Sequence, residues 1–136
     1  MSLLSTFAIL LLSAVEVLPQ PTSATMRFQF DYQLLPSTFS AADKDKLYSV
    51  ANTVTGYLAK LVKTYPKSFQ ITSTTCNTLA IPSNVTGSIL TNIDLYLIVT
   101  FGTLDQNTNS TGLVCQYDTT YAHRPVVGLI TLNSDL

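Results

Sequence analysis

His123 is the single histidine of this chain, and Cys76 and Cys115 are its two cysteines. These side chains carry the widest chemistry available, and their small number limits what they can do. A hydrolytic zinc site takes three protein ligands and a water. One histidine and two cysteines, with no Cys-x-x-Cys, do not make such a set. General acid–base work calls for paired, positioned groups, but Asp31, Asp94, Asp105, Asp118 and Asp135 stand singly along the chain. No Ser-His-Asp spacing stands out, and no glycine-rich phosphate loop is present. The residues therefore assign no catalytic side chain and no metal ligand, and His123 reads as a loop histidine beside Arg124. For Cys76 and Cys115 two readings stay open: a disulfide, which is the default in an oxidising compartment, or two free buried thiols. Closing a loop of about forty residues would stabilise the fold by roughly 3–4 kcal/mol in the chain-entropy treatment.

The compartment is read from the start of the chain. Residues 2–17 are almost all apolar or small, with Phe7-Ala8-Ile9-Leu10-Leu11-Leu12 at their heart, and Glu16 and Pro19 close the run. That is short for a membrane span and has the form of a secretory h-region, although no Lys or Arg precedes it. Thr22-Ser23-Ala24 offers small residues for a signal peptidase, so residues 1–24 are expected to be a signal peptide cut after Ala24, with Ala14 as the second choice. The competing readings are an uncleaved anchor and a buried N-terminal helix.

Removing Glu16 with that segment leaves seven acidic and seven basic residues in 25–136. A neutral domain without a basic patch is not built to track phosphates, which excludes nucleic acid as a partner. Charged residues make up 11% of the chain, against about 25% in ordinary soluble domains. Ser and Thr supply much of the polar surface, as suits a secreted glycoprotein, and Asn84-Val85-Thr86 and Asn109-Ser110-Thr111 are sequons, making Asn84 and Asn109 expected N-glycosylation sites.

The elements that must position these groups follow from periodicity. Residues 26–34 alternate apolar and polar, the pattern of a strand. Ser40-Ala41-Ala42-Asp43 has the form of a capping box. After it Leu47, Val50, Ala51, Val54, Leu58, Leu61, Val62 and Tyr65 recur at steps of three and four, which predicts one long amphipathic helix ended by Pro66. Its apolar stripe reads as core packing. Residues 68–74 alternate again as a second strand, and 76–87 are loop-like. Residues 93–101 are a nearly continuous β-forming run, as in a central strand buried on both faces. Residues 112–117 predict a short edge strand and 126–132 a last apolar strand. Strands interrupted by one long helix argue an α/β fold with a largely parallel sheet.

Four segments, in order, carry a resemblance to a known family. They are Arg27-Phe28-Gln29-Phe30-Asp31-Tyr32; the helix followed by Cys76 and Ile81-Pro82; Asp94-Leu95-Tyr96-Leu97-Ile98-Val99; and Cys115-Gln116-Tyr117-Asp118 followed by Arg124-Pro125-Val126-Val127-Gly128 and residues 130–133. Together they resemble the N-terminal part of the catalytic domain of leishmanolysin-type zinc metallopeptidases, over residues 26–136. The resemblance implies a metzincin-like upper subdomain: an α/β layer with a mostly parallel twisted sheet, an antiparallel edge strand and one long helix. It implies that the edge strand binds an extended substrate through backbone atoms of Leu113, Val114, Cys115 and Gln116, and that Cys76 pairs with Cys115.

It also implies zinc as the cofactor of the full-length family member, peptides or proteins as substrates, and a secreted or cell-surface location, with membrane association left open. The family's zinc ligands lie on a His-Glu-x-x-His helix and a later histidine, none of which is in this sequence, and no cysteine stands before Arg27 to act as a pro-segment inhibitor. The expectation is thus a chain truncated before the zinc-binding helix, inactive by itself, binding no zinc tightly, and poorly stable because one apolar face of the sheet is left uncovered. The alternative from a different class is a non-catalytic secreted binding or adhesion glycoprotein that reuses the subdomain.

Overall fold

In the computed structural model, residues 23–65, 67–119 and 123–134 are described. Residues 1–22 of the expected signal peptide (1–24), Pro66 and Asp135 lie outside them, whereas Ala24, at the expected cut, lies in a short strand. Among the described residues the fold is mixed α/β, with one helix and a four-stranded mixed sheet.

The sheet is built from β2 (Phe28–Asp31), β8 (Leu95–Gly102), β9 (Ser110–Asp118) and β10 (Arg124–Asn133), in the order β2-β8-β10-β9. β2 and β10 both run parallel to β8, and β9 pairs antiparallel with β10 at the edge. The expected central strand is β8, whose Tyr96, Ile98 and Val99 are all buried. The short strands form separate antiparallel pairs: β1 (Ala24–Thr25) with β3 (Lys63–Thr64), β4 (Phe69–Gln70) with β7 (Ile89–Leu90), and β5 (Thr75–Cys76) with β6 (Leu79–Ala80). The strand expected at residues 68–74 is therefore not a member of the main sheet. Only Phe69–Gln70 is extended and paired, within an excursion over residues 69–90.

That excursion covers one face of the sheet. Tyr96 and Ile98 lie in register with Val127 and Leu129, so all four side chains share that face. Phe69, Ile71, Ile81 and Val85 close over them to form the core. The opposite face carries Phe28, Phe30, Leu97, Val99, Ile130 and Leu132, and α1 (Ala41–Leu61) lies against it. Gly128 also belongs to this face: a Cβ there would come within 2.9 Å of Leu97 Cδ2, so a larger residue would push that side chain aside.

The cap of α1 is as the sequence predicts. Ser40 is extended, its Oγ accepts the Asp43 N–H at 3.2 Å, and its hydroxyl donates to Asp43 Oδ2 at 2.6 Å. Ser40→Ala is expected to lower stability by about 1 kcal/mol, because an orphan N–H of the first turn loses its acceptor. Urea unfolding checks this, and an unchanged midpoint would show that the cap contributes nothing. The helix ends at Leu61, earlier than Pro66 would place it. Val62 is already extended, and the chain enters the β1–β3 pair, with Met26 N–H donating to Val62 O at 3.3 Å. Strand pairing has captured backbone that the apolar period assigned to helix.

Packing of α1 departs from the expectation of a buried stripe. None of its residues is buried, and Val50 and Leu61 keep 61% and 63% of their surface. Between helix and sheet lies an apolar groove of about 380 Å³, lined by Leu47, Val54 and Leu58 on one side and Leu97, Ile130 and Leu132 on the other. This groove lies on the helix side of the sheet. The face under residues 69–90 is closed.

At the entry ends of the three parallel strands sits a charge cluster around one buried carboxylate. Asp94 is fully buried just before β8, and accepts from Arg27 N at 2.9 Å, Arg27 Nε at 2.9 Å and Arg27 Nη2 at 3.3 Å. Arg124, the first residue of β10, brings Nη1 to 3.6 Å of Asp94 Oδ1. In return, Asp94 N–H and Leu95 N–H both donate to Arg27 O. One carboxylate therefore ties the starts of β2, β8 and β10 together.

Candidate functional site

β9 is one of the two edge strands of the sheet, its outer side is not paired with another strand among the described residues, and it carries exposed apolar side chains, Leu113 at 46% and Tyr117 at 50% exposure. From Ser110 to Tyr117 it carries no charged residue. Natural edge strands usually carry charges, prolines or bulges that discourage pairing, and here a bulge is the one such device within the strand.

The bulge organises the site. Val114 pairs with Gly128 and Gln116 with Val127, so Cys115 is the extra residue on β9. In a regular strand successive side chains point to opposite faces. The bulge releases that constraint and lets both Cys115 and Gln116 reach the excursion over residues 69–90. Cys115 bonds to Cys76, with Cα atoms 4.9 Å apart. The disulfide reading therefore holds and the free-thiol alternative does not.

Gln116 does more than the sequence reading gave it. Its Oε1 accepts from Thr72 N at 2.9 Å and Ser73 N at 3.2 Å, and its Nε2 donates to Gln70 O at 2.7 Å. One side-chain amide thus satisfies three backbone groups, the Gln70 carbonyl at the end of β4 and the N–H groups of Thr72 and Ser73 in the unpaired stretch that follows it. Ser73 Oγ in turn donates to Cys115 O at 3.3 Å. The lower half of β9 is in this way already engaged by its own chain.

Among the described residues, no strand pairs with the outer side of the upper half. Asn133 N–H donates to Asn109 O at 2.9 Å, and the register runs on through Thr131–Thr111 and Leu129–Leu113. Hydrogen-bonded and non-hydrogen-bonded pairs alternate in an antiparallel ladder. The odd-numbered residues of this stretch therefore face β10, and the N–H and C=O groups of Ser110, Gly112 and Val114 face outward. Of the four residues implied by the resemblance, Val114 presents free backbone, Leu113 presents an exposed side chain, and Cys115 and Gln116 hold the strand in place.

Asn133 is the second positioning residue the sequence reading left without a role. It is buried, its Oδ1 accepts from Leu104 N at 3.3 Å, and its Nδ2 donates to Thr108 O at 2.9 Å. It shapes the loop of residues 103–109 that delivers the chain into β9. A polar residue closing an apolar strand run was the available signal for it.

The remaining candidates do not gather here. His123 is exposed, in a turn with φ of 50°. Asn84 lies in the turn of residues 83–87 and Asn109 directly before β9, both exposed. Among the described residues no group of three His, Cys, Asp or Glu side chains could hold a metal ion, and no helix is long and apolar enough to cross a membrane. A disulfide of this kind fits an oxidising, extracellular-type environment. No protein-family model matches this chain, and no curated protein is significantly similar to it.

Proposed function

We propose that this chain is the substrate-holding subdomain of a secreted or cell-surface zinc metalloendopeptidase of the leishmanolysin type, and that β9 binds an extended peptide by strand addition. The observation that carries the reading is the free, uncharged outer edge of β9 in a mostly parallel sheet, held by the Cys76–Cys115 disulfide and the Gln116 clamp. Backbone hydrogen bonds from Ser110, Gly112 and Val114 would supply affinity, and side chains such as Leu113 would contact alternate residues of the peptide.

Zinc does not fit the residues present. The cysteines are joined to each other and the single histidine lies in an exposed turn, so the proposal places the metal on a His-Glu-x-x-His segment that this sequence lacks. Peptide capture by β9 requires no metal. The same geometry therefore also supports the second reading, a secreted binding or adhesion glycoprotein. Sequencing the native transcript beyond the codon for Leu136 separates the two. An open frame running into His-Glu-x-x-His favours the peptidase, and an immediate stop favours the binding protein.

Strand addition has its own test. Gly112→Pro removes an outward N–H while proline stays compatible with an edge position. An extended peptide that protects the Gly112 amide in the parent chain should bind the variant at least about tenfold more weakly, the equivalent of a charge-neutral backbone bond made in a desolvated groove. Circular dichroism would show the fold retained. Equal binding by both proteins would remove β9 from the site.

A further inference from the structure

At the other edge of the sheet, β2 ends in an open pocket of about 340 Å³, lined by Asp31, Tyr32, Gln33, Tyr48 and Tyr96 together with Gln29 and Phe30. Asp31 is buried, at 5% exposure, and no cation among the described residues forms an ion pair with it. Buried carboxylates are normally paired, which makes this one unusual beside Asp94, with its two guanidinium neighbours.

The hydrogen bonds to Asp31 can be counted. Oδ2 accepts from the Tyr96 hydroxyl at 2.6 Å and from Gln33 Nε2 at 3.3 Å, and Oδ1 accepts from Gln33 N at 2.9 Å. A carboxylate offers about four acceptor sites, so one remains, on Oδ1. Burial and the bond to Asp31 both raise the Tyr96 hydroxyl above its ordinary range, so that hydroxyl stays a donor to Asp31. Around the carboxylate the walls are aromatic. Tyr32 and Tyr48 meet edge to face with ring centroids 4.6 Å apart, and Phe30 stacks near Tyr32 at 6.0 Å. Electron-rich ring faces attract a cation, and more so when it is partly desolvated. The lining contains one negative group and no positive one.

We propose that this pocket binds the ammonium group of a small protonated alkylamine. One N–H of the ligand donates to the free site on Asp31 Oδ1, and the carbons next to the nitrogen lie against Tyr32 and Tyr48. The single free acceptor favours a primary or secondary ammonium, which has an N–H to give, over a quaternary one, which has none. The site is at the opposite edge of the sheet from β9 and stands whether or not the peptidase reading does.

The test is a titration of the full chain with n-butylammonium, followed by the chemical shifts of the Tyr32 and Tyr48 ring protons. n-Butanol, of the same length and uncharged, and tetramethylammonium, charged but without an N–H, serve as controls. The expected result is saturable shifts with n-butylammonium, and affinity about tenfold lower or less for either control. Tyr48→Leu, which removes a ring that is 40% exposed on the helix surface and so leaves the core intact, should weaken n-butylammonium binding several-fold. Asp31→Asn should abolish it. If Asp31→Asn does not fold, the butanol comparison and Tyr48→Leu still decide. Butanol binding as well as the amine, an unaltered Kd in Tyr48→Leu, or no saturable shift with the amine would each overturn the proposal.

Discussion

Asp94→Asn is expected to destabilise the folded chain by roughly 2–3 kcal/mol, the cost of losing the charge-assisted bonds between a fully buried carboxylate and two partly exposed guanidinium groups. Asparagine keeps the shape of aspartate, so the loss is electrostatic. The Arg27 guanidinium would forfeit the charge-assisted bonds it makes at 2.9 and 3.3 Å, and Arg124 would lose a counter-charge 3.6 Å away. Arg124 is already poorly served, because its Nε and Nη2 are buried without hydrogen-bond partners. Replacing Arg124 by methionine should therefore cost much less than replacing Arg27, since it removes unsatisfied donors along with a distant ion pair. Urea unfolding of the three variants provides the comparison. Equal losses for the two arginine variants would contradict the assignment of Arg27 as the main partner.

The same cluster sets a pH dependence. Burial by itself would raise the Asp94 carboxyl, but hydrogen bonds from the Arg27 side chain and backbone, and its charge, outweigh burial and hold the carboxyl below the usual carboxylate range. A depressed folded-state pKa means that the folded protein holds the proton less tightly than the unfolded chain. The stabilisation from Asp94 is thus complete above the unfolded value of about 3.9 and is lost as pH falls toward and through the folded-state pKa. Unfolding midpoints measured from pH 6 downward should fall in the parent, and this component of the fall should be absent in Asp94→Asn. Parallel profiles would show that Asp94 is not the responsible group.

The second large effect belongs to the disulfide. Cys76→Ala with Cys115→Ala should lower stability by roughly 3–4 kcal/mol, because the unfolded chain regains the freedom of a closed loop of about forty residues. Alanine is preferable to serine at position 76, which is 1% exposed and would bury a hydroxyl without an assured partner. A local consequence distinguishes this from general loosening. Cys76 sits in the excursion that covers the core and Cys115 in the bulge of β9, so the bond joins the cover to the edge strand. Amide exchange should accelerate most over residues 70–81 and 110–118, and least in β8, the central strand. Uniform acceleration, or a stability loss under about 1 kcal/mol, would go against this account.

Much of the scaffold is legible in residue order. The Ser40 cap, the start of α1, the central position of β8 and the edge position of β9 follow from capping chemistry and apolar periodicity, which act over a few neighbours. The reading errs where a long-range partner competes with a local preference. Tyr65 continues the helical period, yet the pairing of Lys63 with Thr25 takes that backbone into a strand. Phe69 to Thr74 alternates as a sheet strand should, yet the segment is held by a side-chain amide from Gln116, more than forty residues away, and lies over the sheet. The apolar stripe of α1 gives the orientation of the helix but not its tightness, because how closely two apolar faces meet depends on side chains contributed from both.

The candidate sites divide in the same way. That Cys76 and Cys115 pair is the default for two cysteines in an oxidising compartment, with free thiols as the alternative, and the edge strand is expected as a short segment over 112–117, whereas β9 runs over Ser110–Asp118. Which backbone groups of β9 remain free depends on its register with β10 and on the bulge at Cys115, and both are set by pairing. Asp31 and Asp94 are indistinguishable in sequence, each a lone acid beside β-forming residues. Only folding brings Arg27 and Arg124 to Asp94, across 67 and 30 positions, while Asp31 receives a tyrosine hydroxyl and an aromatic wall with no cation. The sequence alone determined the α/β class, the helix start and the central strand, because those rest on local pattern, and for Cys76 and Cys115 it left a disulfide and two free thiols open. The tertiary structure decided which edge is free, which carboxylate is neutralised and which is left facing a pocket, because charge compensation and backbone exposure depend on neighbours that the chain supplies only once it has folded.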